Sequence, residues 1–290
     1  MNKLTFTLAL VLLTTGCAKK LTEDSDATVS NITAEVESGS TAVTSLLDEQ
    51  AGNNYAVATP SSKSIFEIAL PKSYALDCMR PYFAKCSSGV KTATYSGCDI
   101  GAFTLSGTAQ LQYSQSLCSM NLNGDSVTRT YNLQRVGPRG GTLTISSDSK
   151  ADYRGGSAYG GGGRLTKTAT GYSLDILGKH KNLSIRSRSI YDVSIKTIAP
   201  LQIIGGLDRA NRTIQSGKLE VNHNRAGETA VWTFNNVQFS SLCCHPISGT
   251  IDIVWSGSKT GQAQMTFQGC GLAQVTEGGQ STQVDMSYCE

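Results

Sequence analysis

The chain has 290 residues, of which 39% are hydrophobic, 16% charged and 7% aromatic, with a formal net charge of +3. That apolar share suffices for a packed core and excludes wholesale disorder, while the charge is too small to indicate a nucleic-acid partner. No run of 18 or more apolar residues occurs, which excludes a membrane-spanning helix.

The N-terminus reads as an address. Lys3 is followed by an apolar stretch from Leu4 to Leu13, too short to cross a bilayer. Leu13-Thr14-Thr15-Gly16-Cys17 follows it, small residues running into a cysteine. This segment resembles the lipobox of bacterial lipoproteins, with Thr14 where the family usually has Leu. The resemblance implies cleavage of residues 1–16 as a signal peptide and lipid attachment, palmitate included, at Cys17. It also implies an outer-membrane address in the cell envelope, since Ala18 rather than Asp follows the cysteine. Beyond residue 20 the chain resembles no characterised enzyme family, and its likeness to β-rich envelope lipoproteins is compositional.

Residues 17–60 carry two lysines against seven carboxylates, with many Ser, Thr and Ala. An acidic, weakly apolar stretch of this kind reads as a flexible tether between lipid and domain.

From residue 61 to residue 290 the pattern is that of one β domain. Tyr191, Val193 and Ile195 alternate with Asp192, Ser194 and Lys196, and Leu219 and Val221 alternate with Glu220 and Asn222. Period-2 alternation means strands with one dry and one wet face. The expected fold is all-β, an antiparallel meander of about a dozen or more strands closed as a barrel or folded as a sandwich. A recurring phrase, Gly107, Gly141, Gly217 or Gly249 before an alternating run, reads as a turn feeding a strand. In Val231–Phe239 the large residues change parity at Asn235-Asn236. This means either a bulge or burial on both faces.

With Cys17 lipidated, eight cysteines remain: Cys78, Cys86, Cys98 and Cys118, then Cys243, Cys244, Cys270 and Cys289. An exported chain lies where disulfides persist, so all eight are disulfide candidates. Cys98–Cys118 across a hairpin is the favoured pair in the first group, leaving Cys78–Cys86. Cys243 and Cys244 point to opposite faces of an extended chain and so take different partners from Cys270 and Cys289, in an open order. Adjacent cysteines converge poorly on a tetrahedral metal, and neither metal nor cofactor is expected.

Asp152–Arg164 holds six glycines, and reads as a loose hairpin tip or a ligand loop presenting Tyr153, Arg154, Tyr159 and Arg164. His180 sits in a basic run, Gly178–Lys181, which reads as a solvated turn. Arg186 and Arg188 share strand parity and form at most a small anion-binding stripe. No nucleophile elbow, zinc-protease motif, P-loop or dinucleotide fingerprint is present. The expectation is a non-catalytic binding or structural module. It is held to the membrane by its N-terminal lipid, with an envelope protein or a glycan as partner and no nucleic acid. Alternatives are a carrier of a lipid or other apolar ligand, and a cell-wall or polysaccharide hydrolase.

Overall fold

The computed structural model describes residues 85–100, 103–138, 140–151, 158–207 and 209–286. The tether, Cys17, residues 61–84 of the expected β domain, Cys78, Cys289, Tyr153 and Arg154 lie outside the described residues.

The described chain is nearly all β, as the alternation predicts. Its strands are β1 (Val90–Ile100), β2 (Phe103–Tyr113), β3 (Ser126–Val136), β4 (Thr142–Ser146), β5 (Lys150–Ala151), β6 (Ala158–Tyr159), β7 (Gly162–Lys167) and β8 (Gly171–Ile185). They continue with β9 (Arg188–Ile204), β10 (Thr213–His223), β11 (Glu228–Ser240), β12 (Cys243–Gly257), β13 (Gly261–Phe267), β14 (Leu272–Glu277) and β15 (Gln280–Asp285). Thirteen of them form one antiparallel sheet in near-sequential order, and β5 and β6 pair separately. Every turn between sheet neighbours therefore falls at one of two ends. The chain reaches β1 at the end that holds the β2–β3, β7–β8, β9–β10, β11–β12 and β13–β14 connections.

One strand position is split. β3 pairs with β4 through Asn132–Val136 and with β7 through Ser126–Arg129, and β8 pairs with both from the other side. β4 and β7 thus lie along one line in one direction. Between them the chain makes an excursion whose described parts, residues 147–151 and 158–161, lie off the sheet and pair with each other as β5 and β6.

One face of the sheet is apolar, and its side chains form a single buried cluster from Ala93 and Tyr95 on β1 to Val284 on β15. Trp232, Phe234, Ile251 and Ile253 sit at its centre, essentially without exposure. A sheet this wide cannot stay flat while keeping one face dry, and mid-strand bends supply the curvature.

Three of the four recurring glycines correct the turn reading. Only Gly141 stands beside a turn. Gly107, Gly217 and Gly249 lie inside β2, β10 and β12 with φ of 117°, 134° and 96°. A Cβ on Gly107 would sit 2.1 Å from the Asn132 carbonyl oxygen, and one on Gly249 would sit 2.3 Å from that of Asn236. The neighbouring strands slip register at the same levels, between Tyr95 and Cys98 on β1 and between Asn235 and Gln238 on β11. These are β-bulges, each turning a strand without ending it. The parity change at Asn235-Asn236 is one of them. Asn236 takes φ of 48°, and Trp232, Phe234, Val237 and Phe239 are all buried.

Two disulfides close the end at which β1 begins. Cys86 joins Cys118, and Cys243 joins Cys270. The favoured Cys98–Cys118 pair is not formed, and Cys98 is a half-buried free thiol. The reason is distance along the hairpin. Cys98 is opposite Leu105 beside the β1–β2 turn, whereas Cys118 lies beyond Tyr113 at the other end. Eight strand residues, roughly 25 Å, separate those levels. Cys86 precedes β1 and so reaches Cys118 directly. Closing loops with sequence separations of 32 and 27 residues contributes about 3–4 kcal/mol each in chain-entropy terms. Cys243 is therefore oxidised, and Cys244 follows it within β12.

The bends are testable. Gly107→Ala meets both a positive φ and the Asn132 carbonyl, and should cost more than about 2 kcal/mol. Gly140→Ala, at φ 74° with no atom within 4 Å, should cost about 1 kcal/mol. Thermal unfolding of the two variants, compared side by side, measures the difference.

Candidate functional site

The wet face carries the polar chemistry. Register places one polar residue at the same level on nine successive strands: Thr94, Thr108, Asn132, Ser146, His180, Ser194, Asn222, Thr229 and Ser256. The middle of this row is covered, and Ser146, Ser194, Asn222 and Thr229 are buried. Burial without loss of hydrogen bonds requires internal partners. Thr229 donates to Asn222 Oδ1, and Asn224 Nδ2 donates to Ser194 Oγ at 3.0 Å.

The excursion is held over this region by two polar contacts. In the first, Lys150 Nζ lies 2.8 and 3.0 Å from the two Asp192 oxygens and 2.7 Å from His180 Nε2. His180 Nε2 is in turn 2.8 Å from Asp192 Oδ1. Asn224 and Asn182 donate to the same carboxylate at 2.7 and 3.1 Å. Burial by itself would raise the Asp192 pKa. Hydrogen bonds from Lys150, Asn224 and His180 outweigh it and hold the carboxyl down at about 2. In the second contact, Tyr159 donates to Glu220 Oε1 at 2.6 Å, and the Lys196 ammonium lies 4.6 Å from the centre of its ring. Lys196 also pairs with Glu220 at 3.5 Å.

Close approach of the two backbones completes the fit. A Cβ on Gly178 would stand 1.9 Å from the Gly160 nitrogen, so only glycine lets β8 pass beneath the excursion. These contacts correct two expectations. Tyr159 is fully buried, so it is an anchor of the excursion and not a stacking face for a ligand. His180 lies within β8 instead of a solvated turn, and the turn comes later, at Arg186-Ser187 with positive φ at both residues. Arg186 is thus a hairpin residue and forms no strand stripe with Arg188. Arg164 stands on β7 and pairs with Asp175 at 3.0 Å, half-exposed.

Where the cover ends, the row opens into a groove of about 340 Å³ lined by Thr92, Thr108, Gln110, Thr130, Tyr131, Asn132, Ser147 and Asp148. β1, β2 and β3 supply its floor. The start of the excursion supplies one wall, held by the Asp148 amide donating to Ser146 Oγ and the Ser147 amide donating to the Tyr131 carbonyl. Asn132 Nδ2 lies 3.4 Å from Asp148 Oδ2. The groove offers hydroxyls, carboxamides and one carboxylate, and no cation is among its lining residues. Such a surface makes many neutral hydrogen bonds and suits a ligand rich in hydroxyls.

The opposite, inner face has its own polar patch. Lys179 and Arg129 are both buried, at 5.6 and 5.3 Å from the centre of the Tyr131 ring. Burial first, then the nearby Lys181 and Arg129 charges, push the Lys179 pKa well below its ordinary value. Burial also lowers Arg129 to about 10, against a smaller opposing effect of Tyr131. The patch occurs where Gly163 and the break between β4 and β7 leave β3 without a large inner-face neighbour.

No hydroxyl or thiol among the described residues is hydrogen-bonded to His180. Its partners are Lys150 and Asp192, an arrangement that fastens one segment to another. No protein-family model, no curated protein and no solved structure matches this chain.

Asp192→Ala should free the excursion, lowering stability by about 2 kcal/mol and speeding tryptic cleavage after Lys150. The same contact titrates. Because the folded-state pKa is depressed, its stabilisation is complete above the ordinary carboxyl value of about 4 and is lost as pH falls through about 2. Hydrogen exchange at Lys150-Ala151 and Ala158-Tyr159 should rise across that window in the wild type and show no such step in Asp192→Ala.

Proposed function

We propose that this protein is a lipid-anchored module of the bacterial envelope that binds a hydroxyl-rich partner, a glycan chain, and carries out no chemistry on it. The observation that carries the binding reading is the open end of the polar row, where Thr92, Thr108, Gln110, Thr130 and Asn132 face a groove walled by Asp148. The groove is built on three paired strands, and rigid strands position hydrogen-bonding groups better than loops do. The His180–Asp192 pair, the most enzyme-like cluster on the same face, is occupied in holding Lys150. The address rests on Leu13–Cys17 and Ala18, which resemble the lipobox of outer-membrane lipoproteins. The two disulfides agree with an oxidising compartment.

Intact mass of protein extracted from its own membrane tests the address. The expected species lacks residues 1–16, carries acyl mass, and gains at least four hydrogens on reduction, with Cys98 alkylated before reduction. Absence of acyl mass sinks the anchor. Calorimetric titration with soluble peptidoglycan glycan fragments tests the groove. Asn132→Ala combined with Asp148→Ala should weaken binding about tenfold or more, in proportion to the hydrogen bonds removed. Equal affinity in wild type and double variant, or no heat of binding in either, rejects the glycan reading.

A further inference from the structure

The end at which the chain reaches β1 differs from the opposite end in one chemical respect. Leu117 in the β2–β3 connection is 83% exposed, Leu122 in the same connection 67%, and Leu242 in the β11–β12 turn 93%. These are the three most exposed large hydrophobic side chains among the described residues. At the opposite end the described turn residues include Pro138, Gly140, Arg186, Ser187, Asn224, Arg225, Ser258, Lys259, Gly278 and Gly279, and the large hydrophobics beside them, Val136, Ile185 and Ile190, are no more than 43% exposed.

The leucines are held out by built structure. Leu117 adjoins Cys118 and Leu242 adjoins Cys243, so each disulfide pins a leucine-bearing tip. The β2–β3 connection is further fastened by Asp125, which accepts hydrogen bonds from the Asn121 and Leu122 amides at 2.9 and 2.7 Å and from Gln115 Nε2 at 2.7 Å. Lys167 Nζ donates to the Asn121 carbonyl at 2.8 Å. An apolar side chain kept in water by a rigid tip is an unfavourable arrangement unless it meets an apolar surface.

We infer that this rim, with Leu117, Leu122 and Leu242 foremost, rests in the surface of the bilayer to which the chain is tethered. The inference rests on the lipid-anchor reading. The described residues begin at Lys85, and Cys86 is bonded to Cys118, next to Leu117. An acyl group at Cys17 holds the domain near lipid, and this end is the one that presents the most exposed leucines to it. Three leucines bind a membrane weakly and reversibly by themselves, and tethering multiplies such weak contact through effective concentration. The wet-face groove then stands on the side of the molecule, clear of the lipid.

The test uses full-length protein purified with its native processing and reconstituted into vesicles of phosphatidylethanolamine and phosphatidylglycerol with brominated acyl chains, which quench nearby tryptophan. Trp232 and Trp255 are buried and provide an unquenched baseline that also reports folding. Leu242→Trp places a reporter on the rim, and Ile190→Trp places one toward the polar end of β9. The expected result is that bromination removes half or more of the added emission in Leu242→Trp and less than a tenth in Ile190→Trp. Leu117→Asp in the Leu242→Trp background should cut that quenching at least threefold. Equal quenching of the two reporters, or none in Leu242→Trp, overturns the inference. So does concentration-dependent self-association that hides Leu242→Trp from bromine, since the rim then covers a second copy. Intact mass of the same sample keeps the two readings apart. Acyl mass without quenching sinks the rim alone, and quenching without acyl mass sinks the anchor alone.

Discussion

An antiparallel sheet of thirteen strands that keeps one face dry must bend, and the continuity of its core depends on how it does so. Bending by turns alone would need more strands and more edges. Here the strands remain long and are kinked at Gly107, Gly217 and Gly249, each with a left-handed φ and each paired with a register slip next door. A side chain at Gly107 or Gly249 would collide with the backbone of the adjacent strand, so each kink depends on a residue that has none. The kinks keep Trp232, Phe234, Val237 and Phe239 on the same face across the bulge in β11.

The second organising feature is the split strand. β4 and β7 share one line of the sheet, and Lys150 and Tyr159 from the chain between them fasten to the wet face at His180, Asp192 and Glu220 on β8, β9 and β10. The middle of the nine-residue polar row is a buried network there, and its β1–β3 end stays open as a groove. Lys150–Asp192–His180 and Tyr159–Glu220–Lys196 are the two fastenings. Both join the excursion to residues already displayed by the sheet. On the dry face the same split leaves Arg129 and Lys179 around Tyr131, where burial lowers the pKa of both.

Much of the fold was legible in the sequence because alternation is a local property. Val193 and Ile195 against Asp192 and Ser194 announced a strand and its two faces. The bulge at Asn235-Asn236 was visible as a change of parity. The glycine phrase was misread because a turn and a mid-strand kink both call for positive φ, and local sequence does not separate them. The Cys98–Cys118 expectation failed for a related reason. Spacing alone cannot say that Cys98 stands beside one end of the hairpin and Cys118 beyond the other. The site was the least legible part. Asp192 and Asn222 were readable as wet-face residues and His180 was misread as part of a solvated turn, and what covers a wet face is a long-range matter. Tyr159, in the most glycine-rich stretch of the chain, gave no sign that it would be fully buried. The glycines belong to that burial, since Gly160 and Gly178 let two backbones touch.

The Cys86–Cys118 bond has a mechanical consequence. A pull on the chain from its N-terminal side arrives at Cys86 and passes through the disulfide to Cys118. β1 and β2 lie wholly inside the covalent loop thus closed, so tension cannot unzip the edge hairpin one hydrogen bond at a time. The load falls first on β3, which is bonded along its length to β2 on one side and to β4 and β7 on the other. An edge strand that would be the weakest point under force is thereby removed from its path.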